Sequence, residues 1–160
     1  MRLINCEINN VKVHSSLSIE FDPNLTIISG GNETGKSTLV EALHKTLFLK
    51  ASSTGNIVEN LRSKSVLDHP KIAIRFSAKG HTYIVKKCFS GSSGQTTLVN
   101  ENTGDEFRDH TAEDFLSELL GFKEMLGSRQ AGKLLPTRWA HLWVSQGASS
   151  HDLISKGKTF

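Results

Sequence analysis

The segment that decides the fold is a short loop with the sequence Gly30-Gly31-Asn32-Glu33-Thr34-Gly35-Lys36-Ser37-Thr38. Four residues separate Gly30 from Gly35, and a lysine and a serine follow directly, which completes the phosphate-loop pattern. Glycines let the main chain curl so that successive amides point inward, and the helix beginning there adds its positive end. Lys36 can then reach the β and γ phosphates of a nucleoside triphosphate, and the Ser37 hydroxyl can hold a bridging magnesium ion.

The residues on either side of this loop supply the strand and the helix that the pattern requires. Leu25–Ser29 is a short run of β-branched and apolar residues, which predicts a buried strand leading into the loop. After Lys36, apolar residues recur at helical spacing, which predicts a helix. They are Leu39, Val40, Ala42, Leu43, Leu47 and Phe48. A chance match of a Gly- and Ser-rich turn is therefore a poor explanation.

Length and composition predict one cytoplasmic domain with a substantial core. The chain has 160 residues, and its 19 basic and 16 acidic residues leave a net charge of only +3, so composition alone does not indicate a nucleic-acid binder. Cys6 and Cys88 lie far apart in predicted strands, which suits buried thiols in a reducing compartment. The N-terminus does not resemble a signal peptide, and no apolar stretch approaches the ~20 residues of a membrane span.

Alternating apolar and polar residues predict an α/β fold. Two strands come before the phosphate-loop strand, and three alternating segments after the loop helix predict an antiparallel β-meander beside a mixed sheet. A second helix begins at Thr111 and ends at Gly121. The predicted strands are Arg2–Ile8, Leu17–Phe21, Ile72–Phe76, His81–Lys87, Gln95–Val99 and, near the end of the chain, Trp139–Val144.

Together these features resemble the N-terminal ATPase lobe of the SMC (structural maintenance of chromosomes) superfamily, within the ABC class of ATPases. The resemblance is strongest to its SbcC-type double-strand-break-repair branch and extends over nearly all of residues 1–160. It rests on the opening strand, the segment from Asn10 to His14, the loop with its Asn32-Glu33 pair, the meander, and a late Gln146-Gly147 that follows a strand.

The resemblance implies an ATP and Mg²⁺ site. Lys12 would lie near the adenosine and α phosphate, although the family usually has an aromatic residue and Arg around this point. Gln146 resembles the glutamine of the Q-loop, here at about residues 145–147, which coordinates magnesium beside Ser37 and senses the γ phosphate; its neutral amide suits that task. Lys36 and Gln146 would act in catalysis. The nucleotide-binding residues would be Lys12, Gly30, Asn32, Glu33, Thr34, Gly35, Lys36, Ser37 and Thr38, with the Glu33 side chain in solvent.

Two groups of basic residues could contact DNA. Arg62-Ser63-Lys64 lies in a polar connection where SMC-like proteins carry a basic loop that can meet DNA or the nucleotide, and Arg75, Lys86 and Lys87 lie on meander strands. Polar residues are also expected on a half-exposed sheet, so a DNA track requires that these cations share one face.

Two parts of a complete ABC-class site are missing from the sequence: an acidic pair after an apolar strand, and a Ser-Gly-Gly signature. Phe89–Gln95 is superficially similar to a signature, but it lies between meander strands, where a flexible loop is the simpler explanation. In the family these parts belong to a C-terminal lobe beyond a long coiled coil. The resemblance thus implies a truncated ATPase head, nearly inactive alone. Its partners would be that lobe, a second head in a homodimer, DNA and a nuclease subunit, in the cytoplasm or at the nucleoid.

Other functions stay open at this point. A self-contained phosphate-loop kinase would place the loop after its first strand and build a parallel sheet, and a small GTPase would need an Asn-Lys-x-Asp motif that the sequence lacks. The nucleotide could also serve only as a dimerisation switch without turnover. An SMC-like ATPase of another setting, such as defence, would have the same features.

Overall fold

A six-stranded antiparallel sheet forms the frame of the protein in a computed structural model, which describes residues 1–64 and 66–138. The strands lie in the order β2-β1-β3-β4-β5-β6, and every neighbouring pair is antiparallel. Their bounds are β1 Arg2–Val11, β2 His14–Glu20, β3 Lys71–Ala78, β4 His81–Cys88, β5 Gln95–Asn100 and β6 Glu106–Arg108. The α/β fold class and the antiparallel meander are confirmed, and the described part of the chain lacks the parallel strands of a small kinase.

The strands form because their apolar residues alternate, so one face of the sheet is buried. In β3 every second residue from Ile72 to Ala78 is buried, and the register places Ile74 between Cys6 of β1 and Val85 of β4. Burial and the neighbouring Glu7 carboxylate raise the pKa of the Cys6 thiol to about 12. Cys6 and Cys88 are both free thiols, Cys6 buried and Cys88 half-buried, as the sequence largely predicted.

Helices cover this buried face. The helix after the phosphate loop contacts β1 and β3, and the helix predicted from Thr111 contacts β5 and β6. Gly121 ends the latter in a left-handed conformation with φ of 80°, as predicted. Two short helices in the polar and less regular segments were not predicted. The helices are α1 Lys36–Phe48, α2 Asn56–Glu59, α3 Asp109–Leu120 and α4 Ser128–Leu134. None of them is long and apolar enough to cross a bilayer.

The predicted strand Leu25–Ser29 is wrong for the described structure. This segment carries no strand pairing to the described residues, and Leu25 and Ile27 are 71% and 79% exposed. The six strands pair with one another, and the segment pairs with neither of the edge strands, β2 and β6. The expected strand Trp139–Val144 lies outside the described residues.

The loop that resembled a signature packs against the rest of the protein at Phe89 and Gly94. Gly91–Ser93 forms a single 3₁₀ turn, and the Phe89 side chain before it is buried. Gly94 lies so close to the main chain of Ala51 that a Cβ there would sit 1.9 Å from the Ala51 carbonyl oxygen. Close backbone packing explains this glycine without a role in nucleotide contact.

A buried ion pair joins the end of α1 to the meander. Lys87 is fully buried and donates to the Leu49 carbonyl at 2.7 Å, and its ammonium lies 3.3 Å from Glu113 of α3. The same carboxylate oxygen accepts from the Ala51 amide and the Thr96 hydroxyl. Burial lowers the pKa of Lys87, and the Glu113 charge opposes that shift. Lys87 is therefore a structural residue that DNA cannot reach.

We expect Lys87→Met to lower the free energy of unfolding by about 3–5 kcal/mol, because it leaves the buried Glu113 carboxylate without its cation. The double variant Lys87→Met/Glu113→Gln should regain part of that loss, since a neutral amide oxygen can still accept from Ala51 and Thr96. Urea unfolding of Lys87→Met, of Glu113→Gln and of the double variant measures this coupling. The exposed neighbour Lys86→Met is the control and should change stability by less than about 0.5 kcal/mol. Strictly additive losses in the double variant would contradict the account.

Candidate functional site

The phosphate loop gets its shape from two left-handed residues. Glu33 has φ of 63° and Gly35 has φ of 90°, and α1 begins at the next residue. The curled loop leads directly into the N-terminus of α1, and the first amides of a helix have no acceptor within the helix. This main-chain arrangement is suited to a group with several anionic oxygens.

Lys36 lies across the loop. Its ammonium donates to the Gly30 carbonyl at 2.8 Å and also to the Gly31 carbonyl, and the Thr34 hydroxyl donates to Gly31 at 3.0 Å. The ammonium is thus already held over the loop by carbonyl acceptors. Phosphate oxygens are stronger acceptors for a charged donor than carbonyls, so Lys36 can move to a triphosphate without leaving the loop.

The turn between β1 and β2 is seated on the loop. A ring nitrogen of His14 lies 3.1 Å from the Gly35 carbonyl oxygen and can donate to it. A Cβ at Gly35 would come within 2.3 Å of His14 Nε2 and 2.7 Å of Val13 Cγ2. Gly35 is therefore favoured by its positive φ, and a side chain at this position would also force His14 and Val13 to shift.

Lys12 lies in the same turn but does not point into the loop. Its side chain forms an ion pair with Glu41 on α1, and Glu41 also pairs with Lys45 at 2.7 Å. Burial acts to raise the pKa of Glu41, but the hydrogen bonds from the two lysines outweigh it and leave that pKa below its usual value. The carboxylate is therefore ionised at neutral pH.

The far end of α1 contacts the last described residues. His44 Nε2 lies 3.1 Å from the Arg138 carbonyl oxygen, and the His44 ring packs against Phe48. The Arg138 guanidinium stacks over Phe122 at 4.7 Å. Burial holds the pKa of His44 below its ordinary value, so the ring is neutral at pH 7. Gln146, the expected Q-loop residue, lies outside the described residues.

The loop residues expected to bind nucleotide are brought together, and most are exposed. Lys36 is half-buried at the first position of α1, and Ser37 is exposed at the second, where its hydroxyl can ligate a metal ion. Among the described residues no cluster of three His, Cys, Asp or Glu side chains forms a metal site. Of the other loop positions, Gly35 and Thr38 are half-buried, and Gly30, Asn32, Glu33 and Thr34 are exposed.

The basic residues do not form one uninterrupted basic face. Arg75 pairs with Glu101 at 2.7 Å, and Arg62 lies 3.5 Å from Glu59. Lys86 of β4 is exposed on the open face of the sheet and lies opposite Ala73 of β3. Ala73 in turn lies opposite Glu7 of β1, so an acidic residue is in the same cross-strand row. This face therefore carries both signs of charge.

Sequence reasoning missed two residues beside the loop. His14 was noted only as part of a segment, and Glu41 was not singled out. Glu41 lies five residues after Lys36 in the sequence, so its place on the predicted helix could be read from the sequence. Its pairing with Lys12 depends on how the β1–β2 turn docks on α1, which local sequence patterns do not encode.

Comparison with known proteins finds one matching family model and two groups of relatives named as DNA repair proteins. Residues 5–131 match the family model described as "AAA domain". The "DNA double-strand break repair Rad50 ATPase" of Methanosarcina mazei is 32% identical over 106 residues, which cover 66% of this chain and 9% of that protein. Its counterpart in Methanopyrus kandleri is 30% identical over 90 residues, 56% of this chain and 10% of the relative.

A second group of relatives carries a different name. The "DNA replication and repair protein RecF" of Chlorobium luteolum is 26% identical over 111 residues, which cover 69% of this chain and 30% of that protein. By comparison, the chain spans only about a tenth of the length of the Rad50 relatives described above. The family match covers most of the chain and includes the phosphate loop and the meander. The chain therefore belongs to the AAA domain family, and its sequence is similar to part of the Rad50 ATPases, in line with the resemblance to SMC-type P-loop ATPases.

Proposed function

We propose that the chain is the ATP-binding half of an ATPase head that acts on DNA in repair or chromosome maintenance. The observation that carries this proposal is the Lys36 ammonium, held over the curled loop at the start of α1. The relatives named as DNA repair proteins support the setting, which is the cytoplasm or the nucleoid. Adenine is favoured because the sequence lacks the Asn-Lys-x-Asp motif that selects guanine.

In this proposal the polar side chains at the site bind different parts of the nucleotide and its metal ion. Lys36 exchanges the Gly30 and Gly31 carbonyls for β and γ phosphate oxygens, and the amides at the start of α1 bind the phosphates. Ser37 and Gln146 would hold Mg²⁺, which neutralises phosphate charge when bound. Asn32 would reach toward the phosphate-bound water or an opposing subunit, and Lys12 would approach the α phosphate.

A C-terminal lobe is the first partner that we propose. Leu25 and Ile27 are exposed in a segment of strand-forming composition without strand pairing to the described residues, so another strand could bury them. The greater length of the Rad50 relatives is consistent with a coiled coil and a second lobe beyond this one. Two complete heads would then enclose ATP as a homodimer and close on DNA, with a nuclease subunit as a further partner.

Lys36→Ala should weaken ATP binding about 100-fold or more, because two charge-assisted hydrogen bonds to the triphosphate are lost. Isothermal titration calorimetry with ATP and Mg²⁺ measures the change. The matched control is Lys79→Ala, because Lys79 is an exposed lysine in the turn that follows the last residue of β3, Ala78. This variant should bind ATP like the unaltered chain. Unchanged affinity in Lys36→Ala would show that the loop is not the nucleotide site.

We expect the chain alone to hydrolyse ATP far more slowly than ~1 s⁻¹, a low value for enzymes. Positioned water and stabilisation of transferred charge supply most of the catalysis in phosphoryl transfer, and we assign those groups to the C-terminal lobe. Phosphate release should rise when that lobe is supplied. Rapid hydrolysis by residues 1–160 alone would instead favour a self-contained enzyme.

A further inference from the structure

Glu41 lies at the centre of an ion triad that joins three parts of the molecule. One carboxylate oxygen contacts the Lys12 ammonium from the β1–β2 turn, and the other lies 2.7 Å from Lys45 one helical turn along α1. Lys45 also donates to the Ile57 carbonyl of α2 at 2.7 Å. The triad thus connects the turn, the phosphate-loop helix and α2.

The main chain of Lys12 is fixed close to the loop. Its amide donates to the Leu61 carbonyl at 2.9 Å, and two residues later His14 contacts the Gly35 carbonyl at 3.1 Å. Only the side chain is directed away, along α1 toward Glu41. A lysine ammonium on its flexible four-carbon stem can pivot about a fixed main chain, so Lys12 can reach another acceptor on the same side of the helix.

The two lysines of the triad differ in what holds them. The Lys45 side chain is only 7% exposed and is held by two acceptors, Glu41 and the Ile57 carbonyl. The Lys12 side chain is 32% exposed, and its ion pair with Glu41 is only partly buried. If Lys12 leaves, Glu41 keeps Lys45 as its partner, so no unpaired carboxylate is left behind. Lys12 is therefore the exchangeable cation.

We propose that Glu41 competes with the nucleotide for Lys12 and thereby sets the affinity for ATP. Without nucleotide, Glu41 holds the Lys12 ammonium; when a triphosphate occupies the loop, Lys12 moves to its more highly charged oxygens and Glu41 remains paired with Lys45. Glu41 is a positioning residue that acts through Lys12. The inference depends on the proposed nucleotide site and adds to it the residue that tunes its affinity.

The test is a double-mutant cycle measured as the Kd of Mg-ATP by calorimetry. Glu41→Gln keeps the side-chain shape and can still accept from Lys45, but it releases Lys12, so we expect about five-fold tighter binding. Lys12→Ala alone should weaken binding. In the Lys12→Ala background Glu41→Gln should have no effect, because the competed cation is already gone.

A matched control separates competition from a general loss of negative charge. Glu59 of α2 is another carboxylate in an ion pair, with Arg62, and Glu59→Gln should leave the Kd unchanged. Equal tightening by Glu41→Gln with and without Lys12 would overturn the inference, as would weaker or unchanged binding in Glu41→Gln. Those outcomes leave the nucleotide site standing, whereas failure of the unaltered chain to bind Mg-ATP would refute the site and the inference together.

Discussion

The structure depends on the contact between Gly35 and the β1–β2 turn. Gly35 takes a left-handed φ of 90° that turns the loop into α1, and its missing side chain admits His14 and Val13. Gly35 thus shapes the junction between the loop and α1. Any L-amino acid with a side chain would be strained by the conformation and would also force the His14 and Val13 side chains to shift.

The helix α1 has a buried side that packs in the core and a polar side that carries charged residues. Its buried residues, among them Leu39, Leu43 and Leu47, pack against the inner face of the sheet and fix the helix axis. Its first residues remain at the surface with the loop, and its polar side carries Glu41 and Lys45. Through these two side chains, α1 contacts both Lys12 of the β1–β2 turn and the Ile57 carbonyl of α2.

Much of the fold could be predicted from sequence because its signals are local. Alternation defined the strands of the meander, helical spacing defined α1, and Gly121 marked the end of α3. Leu25–Ser29 failed because a strand needs a neighbour, and its composition reveals nothing about whether one is present. The loop residues could be singled out from the sequence because the spacing of Gly30, Gly35, Lys36 and Ser37 is itself the phosphate-loop pattern, and their binding of nucleotide stays a prediction. The Glu41–Lys12 and Glu113–Lys87 pairs join residues far apart in sequence, so no local pattern could indicate them.

The central claim is that the curled loop binds a triphosphate beneath the Lys36 ammonium. A crystal structure of the chain with Mg²⁺ and a non-hydrolysable ATP analogue tests it most directly. The account predicts phosphate oxygens within hydrogen-bonding distance of the amides at the start of α1, with Lys36 Nζ moved from the Gly30 and Gly31 carbonyls to the β and γ phosphates. An empty loop at saturating nucleotide, with Lys36 still on those carbonyls, would contradict it.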